Sequence, residues 1–411
     1  MAAMDGEPSM VSLESLPADP LLIIFSLLDY GDLVNCCLVN RRFNQIASYD
    51  LLWRKYCTKY WLITEEEKVR KNECWKSLFI DFYSDVGRYI EHYAAIKKAW
   101  DDLKKYLWAR CPLIVLSLKD GLREEDLDAI EAQIGCKLPD DYRCSFRIHN
   151  GQKLVVPGLF GSIQLLNHQR SEDFLDALVA AGGFQPKRGL KYCLPLTFCV
   201  HTGLSQYLAV EAAEGRNKNE VFYHSSEQMT HTSNIEMFIT GSSFTEWFTS
   251  YVNNVVSGRF PVIRNQILRY MQDPECVATT GDITVSVSTS FLPELSSINP
   301  PQYFFSYRIN VEMSSDARPD EVCHLYSRCL RATNANGNME VLQGPGIEGE
   351  LPTLTAGEEY EYIGCTTFST TSGYIEGYYT FYLQRRKDRL FRVTVPRFYL
   401  ECPKFKVFRA R

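Results

Sequence analysis

The sequence predicts a multidomain chain: an α-helical N-terminal part, then an α+β domain, then an all-β domain. Three observations support this. Apolar residues recur at three- and four-residue steps up to Leu107, as in packed helices, and helical and strand-like stretches alternate between Leu113 and Gly258. From Gly281 onward the apolar period becomes two, which is typical of strands with one buried face. The predicted parts are a helical unit at 10–60, a helical linker at 61–112, the α+β domain at 113–258, a bridge at 259–277 and the all-β domain at 278–408.

Composition indicates an intracellular protein with several cores. At 411 residues the chain is long enough for more than one domain. Its formal net charge is −6 with both signs interspersed, so neither a nucleic-acid nor a membrane partner is expected. The 14 cysteines are scattered, without a CxxC pair or zinc-like spacing, and are expected to be reduced thiols. Neither a signal sequence nor a membrane span is expected, and the expected location is nucleus and cytoplasm.

The stretch from Leu13 to Cys57 predicts three short helices. Asp19-Pro20 is expected to begin the first, which continues through the almost wholly apolar sequence LLIIFSLL. Asp32 is expected to cap the second helix and Asp50 the third. Because three short helices cannot enclose so apolar a segment, part of it should stay uncovered, which is typical of a partner site.

The same stretch carries a motif in a fixed order: Leu16-Pro17, Leu27-Leu28, Asp32-Leu33, Cys37, Val39, Arg41-Arg42-Phe43, Ile46 and Leu52-Trp53. This order resembles an F-box, although Asn40 and Phe43 differ from the residues that most members carry. The resemblance implies docking to a Skp-type adaptor and, through it, to a cullin-RING ubiquitin ligase. It assigns adaptor binding to Leu16, Pro17, Leu27, Leu28, Asp32, Leu33, Val39, Phe43 and Trp53. The alternative is that these residues form the internal core of a small helical subdomain.

The linker is predicted to be helical. Thr64 and Glu67 have the spacing of a capping box, at the head of a charged helix expected to continue to Phe82. A second helix places an apolar stripe opposite its charged residues, and we expect this stripe to be core rather than a ligand site: Tyr89, Tyr93, Ile96, Trp100, Leu103 and Leu107. The linker is therefore expected to be a rigid joint between the F-box and the next domain.

The α+β domain is predicted from an ordered series of signals. A helix stops at Gly135, another follows Leu138-Pro139-Asp140, Asn150-Gly151 marks a turn, and a last helix closes on Gly258. This order is similar to the SUKH (Smi/Knr-like) superfamily, which implies protein binding and no reaction. Five histidines in the domain lack the spacing of metal ligands and are assigned no role: His149, His168, His201, His224 and His231.

The C-terminal domain is predicted to be an antiparallel β-sandwich of the fibronectin-III type. Ile283, Val285 and Val287 alternate with polar residues, and turn signals separate further short strands. The segments TNANG, GPGIEGE, GEEYEYIGCTTFSTTSGYIEGYYTF and VTVPRF resemble an ApaG domain over this whole region. Leu330 stands where that family usually carries tryptophan, which affects one core position.

Gly344, Gly346 and Gly349 spell GxGxxG, the only candidate for a nucleotide site. A dinucleotide fingerprint needs these glycines between a strand and a helix, whereas here the flanks are β-like and Pro345 lies inside the motif. A structural loop between strands is therefore expected. The alternative is an anion loop whose backbone amides bind a phosphate-bearing ligand.

The sequence carries no P-loop, G-x-S-x-G or HExxH motif, so no catalysis, metal or cofactor is expected. Together with the resemblances, this predicts a non-catalytic substrate-recognition subunit of an SCF-type (Skp-cullin-F-box) E3 ubiquitin ligase. The SUKH-like and ApaG domains would recruit target proteins for ubiquitination and proteasomal degradation. The alternative is a ligand-sensing or scaffolding protein without ubiquitin-ligase function.

Overall fold

The computed structural model describes residues 13–154, 158–165, 168–184, 189–213, 215–224, 234–347 and 349–409. The first three residues of the predicted helical unit, 10–12, lie outside this part, as does His231. The chain divides into two compact units, one up to Lys98 and one from Ala99 onward.

The first unit is helical. After a 3₁₀ turn at Leu13–Ser15, its α-helices are α1 (Ala18–Leu27), α2 (Tyr30–Val39), α3 (Arg41–Ala47), α4 (Asp50–Trp61), α5 (Glu65–Lys71), α6 (Trp75–Val86) and α7 (Tyr93–Trp108), of which α7 ends in the second unit. The segment from Leu13 to Cys57 was predicted to hold three helices, but four α-helices, α1 to α4, begin within it.

Two helices begin at other residues than predicted, because Asp29 and Asn40 cap them. Asp29, not Asp32, caps α2: its Oδ1 accepts a hydrogen bond from the Asp32 amide at 2.7 Å. Asn40 likewise accepts from the Phe43 amide at 2.8 Å and begins α3, which was not predicted. Asp19 lies inside α1, which begins at Ala18. A side chain caps only from an extended residue just before the first turn, and Asp29 and Asn40 have that backbone conformation.

The predicted capping box is confirmed. The Glu67 amide donates to Thr64 Oγ1 at 3.2 Å, and Glu67 Oε2 accepts from the Thr64 amide at 3.0 Å. The helix that follows is shorter than predicted because Asn72 adopts a left-handed conformation at φ 54°, and α6 begins again at Trp75. The predicted apolar stripe is buried throughout, as expected for core: Tyr89, Tyr93, Ile96, Trp100, Leu103 and Leu107.

The central part of the second unit is α+β. Its elements are α8 (Pro112–Ser117), β1 (Leu118–Asp120), α9 (Glu124–Ile134), α10 (Asp140–Ile148), β2 (His149–Gln152), β3 (Ser162–Leu165), β4 (His168–Ser171), β5 (Asp173–Phe174), α11 (Ala177–Gly182), β6 (Cys193–Pro195), β7 (Thr197–Phe198), β8 (Gln206–Ala209), β9 (Val221–His224), β10 (Asn234–Gly241) and α12 (Phe244–Val256).

Two glycines of this part were predicted to end a helix and to form a turn, and the structure confirms only the first. Gly135 ends α9 at φ 69°, as predicted. Gly151 does not form the predicted turn: it lies within β2 at φ 64°, and a Cβ there would be 2.5 Å from the Leu175 carbonyl oxygen. Only glycine fits that position, because the backbone of β2 passes so close to the backbone at Leu175.

The C-terminal part is β-rich, as predicted. Its strands are β11 (Val262–Ile263), β12 (Gln266–Ile267), β13 (Met271–Thr280), β14 (Ile283–Phe291), β15 (Tyr303–Met313), β16 (Cys323–Asn334), β17 (Met339–Pro345), β18 (Thr353–Leu354), β19 (Glu359–Phe368), β20 (Ser372–Leu383), β21 (Arg386–Glu401) and β22 (Phe405–Arg409).

Two antiparallel sheets enclose the C-terminal core. The first sheet has the order β13-β14-β15-β19, and the second has the order β17-β16-β20-β21. Alternate residues of each strand point inward and pack together, including Ile309, Tyr379 and Val393. Leu330 is fully buried in this core, so it fills the position where tryptophan was expected.

The last strand leaves the sandwich. The sequence placed residues 405–408 in the all-β domain, but β22 pairs with β10, and the central sheet has the order β22-β10-β9-β8-β6. Phe408 packs against the core beneath that sheet, and Lys406 Nζ donates to Glu220.

Further contacts join the central and C-terminal parts of the second unit. The buried Glu236 accepts from the Ile298 and Asn299 amides at 2.7 and 2.8 Å. The rings of Phe238 and Phe291 lie 4.9 Å apart, edge to face. The two cores are therefore continuous across this boundary.

Candidate functional site

The candidate site is an exposed apolar surface on α1 and α2. On α1, Leu21 and Phe25 are buried, whereas Ile23 and Leu27 are 65% and 81% exposed. On α2, Leu33 is buried while Leu38, one turn and a residue further on, is 79% exposed. We define the α1–α2 apolar surface by its large exposed side chains: Ile23, Leu27, Val34, Leu38 and Val39. Isolated exposed apolar residues are ordinary, but five of them on two successive short helices are typical of a docking surface.

Aromatic side chains of the core join α1 to α3 and α3 to α4. The rings of Phe25 and Phe43 meet edge to face with centroids 5.4 Å apart. Trp53 is buried, and its Nε1 donates to the Ala47 carbonyl oxygen at 2.8 Å, which ties α4 to the end of α3. The apolar surface therefore rests on a packed and hydrogen-bonded support.

The end of α1 is fixed by two polar groups of α4. Lys55 Nζ donates to the Leu28 carbonyl oxygen at 3.1 Å, and the Tyr56 hydroxyl donates to the same oxygen. Burial, with Asp29 nearby, raises the pKa of Tyr56 to about 12. The hydroxyl is therefore a protonated donor to the Leu28 carbonyl oxygen at neutral pH.

The segment before α1 is held by α3. Arg42 donates to the Glu14 and Leu16 carbonyl oxygens, and Asn40 Nδ2 donates to Glu14 Oε1 at 3.1 Å. These bonds leave Leu16 half-buried and Pro17 exposed. Arg42 of the basic pair thus has a structural role in positioning the first two residues of the motif.

The nine predicted adaptor-binding residues fall into three groups. Those at the surface are Pro17, Leu27, Asp32 and Val39; those half-buried are Leu16 and Leu28; those buried in the core are Leu33, Phe43 and Trp53. The buried three support the helices and do not offer surface in this structure.

Sequence reasoning missed Ile23, Val34 and Leu38. The signal was present, because Ile23 and Leu27 form one i,i+4 pair on α1 while Leu21 and Phe25 form another. Sequence alone does not say which pair faces the core.

The GxGxxG segment lies between two strands, as predicted. Gly344 belongs to β17, and the chain continues to β18 without a helix. The Gly346 amide donates to the Tyr326 carbonyl oxygen at 3.2 Å, and the Ile347 amide donates to Glu350 at 2.9 Å. These two amides are thus already bonded within the chain, which weakens the case for an anion loop at Gly344, Gly346 and Gly349.

Other candidate sites receive no support in the described residues. There, no three His, Cys, Asp or Glu side chains lie together as metal ligands. His149 is largely buried beside Trp100, and burial lowers its pKa. All 14 cysteines fall in the described part, and none forms a disulfide. The described helices include none long and apolar enough to cross a membrane.

Three family models match the chain in succession: an F-box-like domain at residues 13–59, the SMI1 / KNR4 family (SUKH-1) at 121–250 and the ApaG domain at 293–383. The chain is 70% identical to F-box only protein 3 of Homo sapiens over all of its own length and 88% of that protein. It is 25% identical to F-box protein SKIP16 of Arabidopsis thaliana, covering 94% of this chain and 97% of that protein.

The similarity to Protein ApaG of Beijerinckia indica is confined to one part: 35% identity over 30% of this chain and 91% of that protein. The identity to F-box only protein 3, by contrast, extends through all three matched domains in the same order. The chain therefore belongs to the F-box only protein 3 family.

Proposed function

We propose that this chain is the substrate-recognition subunit of an SCF-type E3 ubiquitin ligase. Its F-box would dock a Skp-type adaptor, and its central and C-terminal domains would recruit target proteins for ubiquitination. The α1–α2 apolar surface is the observation that carries the proposal. Two leucines on short helices, 81% and 79% exposed, favour binding of a partner with a complementary apolar surface, which would remove them from water.

In this role the chain performs no chemistry of its own. It would hold a target lysine close to a charged conjugating enzyme, which turns a bimolecular encounter into an effectively intramolecular one. The fold supports this role, because the second unit presents two joined domains as a single body for target binding.

Adaptor capture tests the proposal. The full chain and its Leu27→Ser/Leu38→Ser variant are each mixed with a purified Skp-type adaptor, and Kd is measured by isothermal titration. Burying one leucine contributes about 1.5–3 kcal/mol, so the double variant should lose about 3 kcal/mol or more, which is a loss of about 100-fold or more in affinity. Because both leucines are exposed in the free chain, the variant should unfold at the same temperature as the wild type.

Val69→Ser is the matched control, since Val69 is 75% exposed on α5 of the same unit. It should bind the adaptor as the wild type does. A folded wild type that ignores the adaptor, or a double variant that binds normally, would contradict the proposal. If the wild type binds the adaptor, transfer of ubiquitin to a captured protein by a reconstituted cullin complex would extend the result from docking to ligase function.

A further inference from the structure

The outer face of the second sheet has an unusual composition for a solvated surface. In β20, Ile375, Tyr379 and Phe381 are buried in the sandwich, so the residues between them point outward. In β21, Val393 and Phe398 point inward in the same way. We define the tyrosine–arginine face by the outward residues Arg331, Tyr374, Tyr378, Arg392, Arg397 and Tyr399. Tyrosine and arginine are among the residue types enriched at the centres of protein interfaces.

The side chains of this face contact one another across the strands. Arg397 lies over the Tyr374 ring at 4.4 Å, and Arg392 lies over the Tyr378 ring at 4.2 Å. Tyr374 and Tyr399 are directly opposite in the register, with ring centroids 6.2 Å apart. These contacts hold Arg392 and Arg397 against tyrosine rings, so less conformational entropy is lost when a partner binds their guanidinium groups.

The face carries a net positive charge. Arg331 and Arg397 share the single carboxylate of Glu376, at 3.5 and 2.9 Å, and their side chains are 50% and 48% exposed. Arg392 is exposed as well, and Glu401 lies at the end of β21 beyond Tyr399. The face thus carries three arginines, two of which share one carboxylate, in a chain whose formal net charge is −6.

The first sheet does not offer a comparable face. Its outer side is partly covered by the chain itself: Ser306 is fully buried, and its Oγ is 2.9 Å from the Tyr270 hydroxyl. Two of its carboxylates are bonded within the sheet: Glu361 is bound to Arg308, and Glu359 accepts from Asn310 Nδ2 at 3.1 Å. The positive, aromatic surface is therefore specific to the second sheet.

We propose that the tyrosine–arginine face binds an acidic segment of a target protein. Guanidinium groups recognise carboxylates through paired N–H donors, and the tyrosines with the neighbouring exposed Val341 and Leu390 supply apolar contact area. The occupant is a protein rather than a nucleic acid for two reasons. Arginines already cover the Tyr374 and Tyr378 rings on which bases would stack, and the central Glu376 repels a continuous line of phosphates. The role of the occupant as a target rests on the proposed function, but its binding does not require the adaptor.

The test uses the full chain and a fluorescein-labelled peptide of repeated Glu-Glu-Leu units, followed by fluorescence anisotropy. The acidic peptide should bind saturably, and its affinity should fall as the salt concentration is raised. A Lys-Lys-Leu peptide should not bind. Arg392→Glu should weaken binding at least about tenfold, because it replaces an attraction by a repulsion on an exposed side chain. Arg318→Glu is the control, since Arg318 is exposed on the loop between β15 and β16 and lies off the face.

Equal affinity for the Arg392→Glu and Arg318→Glu variants would overturn the proposal, as would absence of binding to the acidic peptide. A labelled oligothymidine that binds more tightly than the peptide, and is lost in Arg392→Glu, would also overturn it in favour of nucleic acid. The peptide assay contains no adaptor. Peptide binding without adaptor capture would therefore refute the ligase role alone, whereas adaptor capture without peptide binding would refute this face alone.

Discussion

Replacing Phe408 by alanine is expected to release β22 from the central sheet. Phe408 is partly buried against the core residues of that sheet, and its ring lies so close to Gly215 that a Cβ there would be 2.4 Å away. Truncating a fully buried phenylalanine costs about 3–5 kcal/mol. Because Phe408 is only partly buried, a cost of about 2–3 kcal/mol is expected, concentrated on the opening of β22.

This cost has a local signature in hydrogen exchange. The amide of Ile239 donates to the Lys404 carbonyl oxygen at 2.7 Å, and β22 pairs with β10 from Asn234 to Phe238. A change of 2–3 kcal/mol in the free energy of opening corresponds to about 30- to 150-fold faster exchange of amides protected by that pairing. Amides of β20, inside the sandwich, should exchange at an unchanged rate.

Val407→Ala is the matched control, because Val407 is on the same strand but 38% exposed. Gly215→Ala should reproduce the effect of Phe408→Ala from the other side of the contact, since its added methyl group would displace the ring. If β10 exchanges equally fast in the Phe408 and Val407 variants, β22 is not held by its buried face and the reasoning is refuted.

Two further predictions concern charged side chains of the central part. Arg143→Met should lower the free energy of unfolding in urea by about 3 kcal/mol, because the arginine is fully buried and lies 2.9 Å from the buried carboxylate of Glu131; a loss below about 1 kcal/mol would contradict this. Burial raises the pKa of Asp176, but hydrogen bonds from Lys119, at 2.6 Å, and from the α11 backbone more than offset it, so the net pKa is lowered. A carboxyl whose folded pKa is depressed adds stability above its unfolded value and loses it as pH falls through the folded value. Wild-type stability should therefore fall more steeply below about pH 4 than that of Asp176→Asn, and parallel pH profiles would show that the pair contributes nothing.

Local signals in the sequence predicted much of this structure. The capping box at Thr64, the stop at Gly135 and the alternation through β14 and β15 each depend on residues a few positions apart, and each is confirmed. Composition and periodicity were also sufficient to separate helical, mixed and β-rich parts. The prediction failed where two nearby residues could each serve as the helix N-cap, as with Asp29 and Asp32 at the start of α2.

The candidate site was predicted in outline and corrected in detail. The F-box predicted from the motif is confirmed at residues 13–59; of the nine residues assigned to adaptor binding, Leu33, Phe43 and Trp53 are buried, and the exposed Leu38 was not among the nine. A motif records which positions are apolar and does not distinguish those that support the surface from those that form it.

The sequence by itself determined the order and type of the three parts, because helix periods, strand periods and caps are set by neighbouring residues. Only the tertiary structure decided which stripe of α1 faces solvent, since both stripes are equally apolar and the choice depends on where Phe43 and Trp53 lie. Only the tertiary structure decided that β22 joins β10. Strand pairing is made by backbone groups that every residue carries, so a strand's distant partner is fixed by the packing of the whole unit.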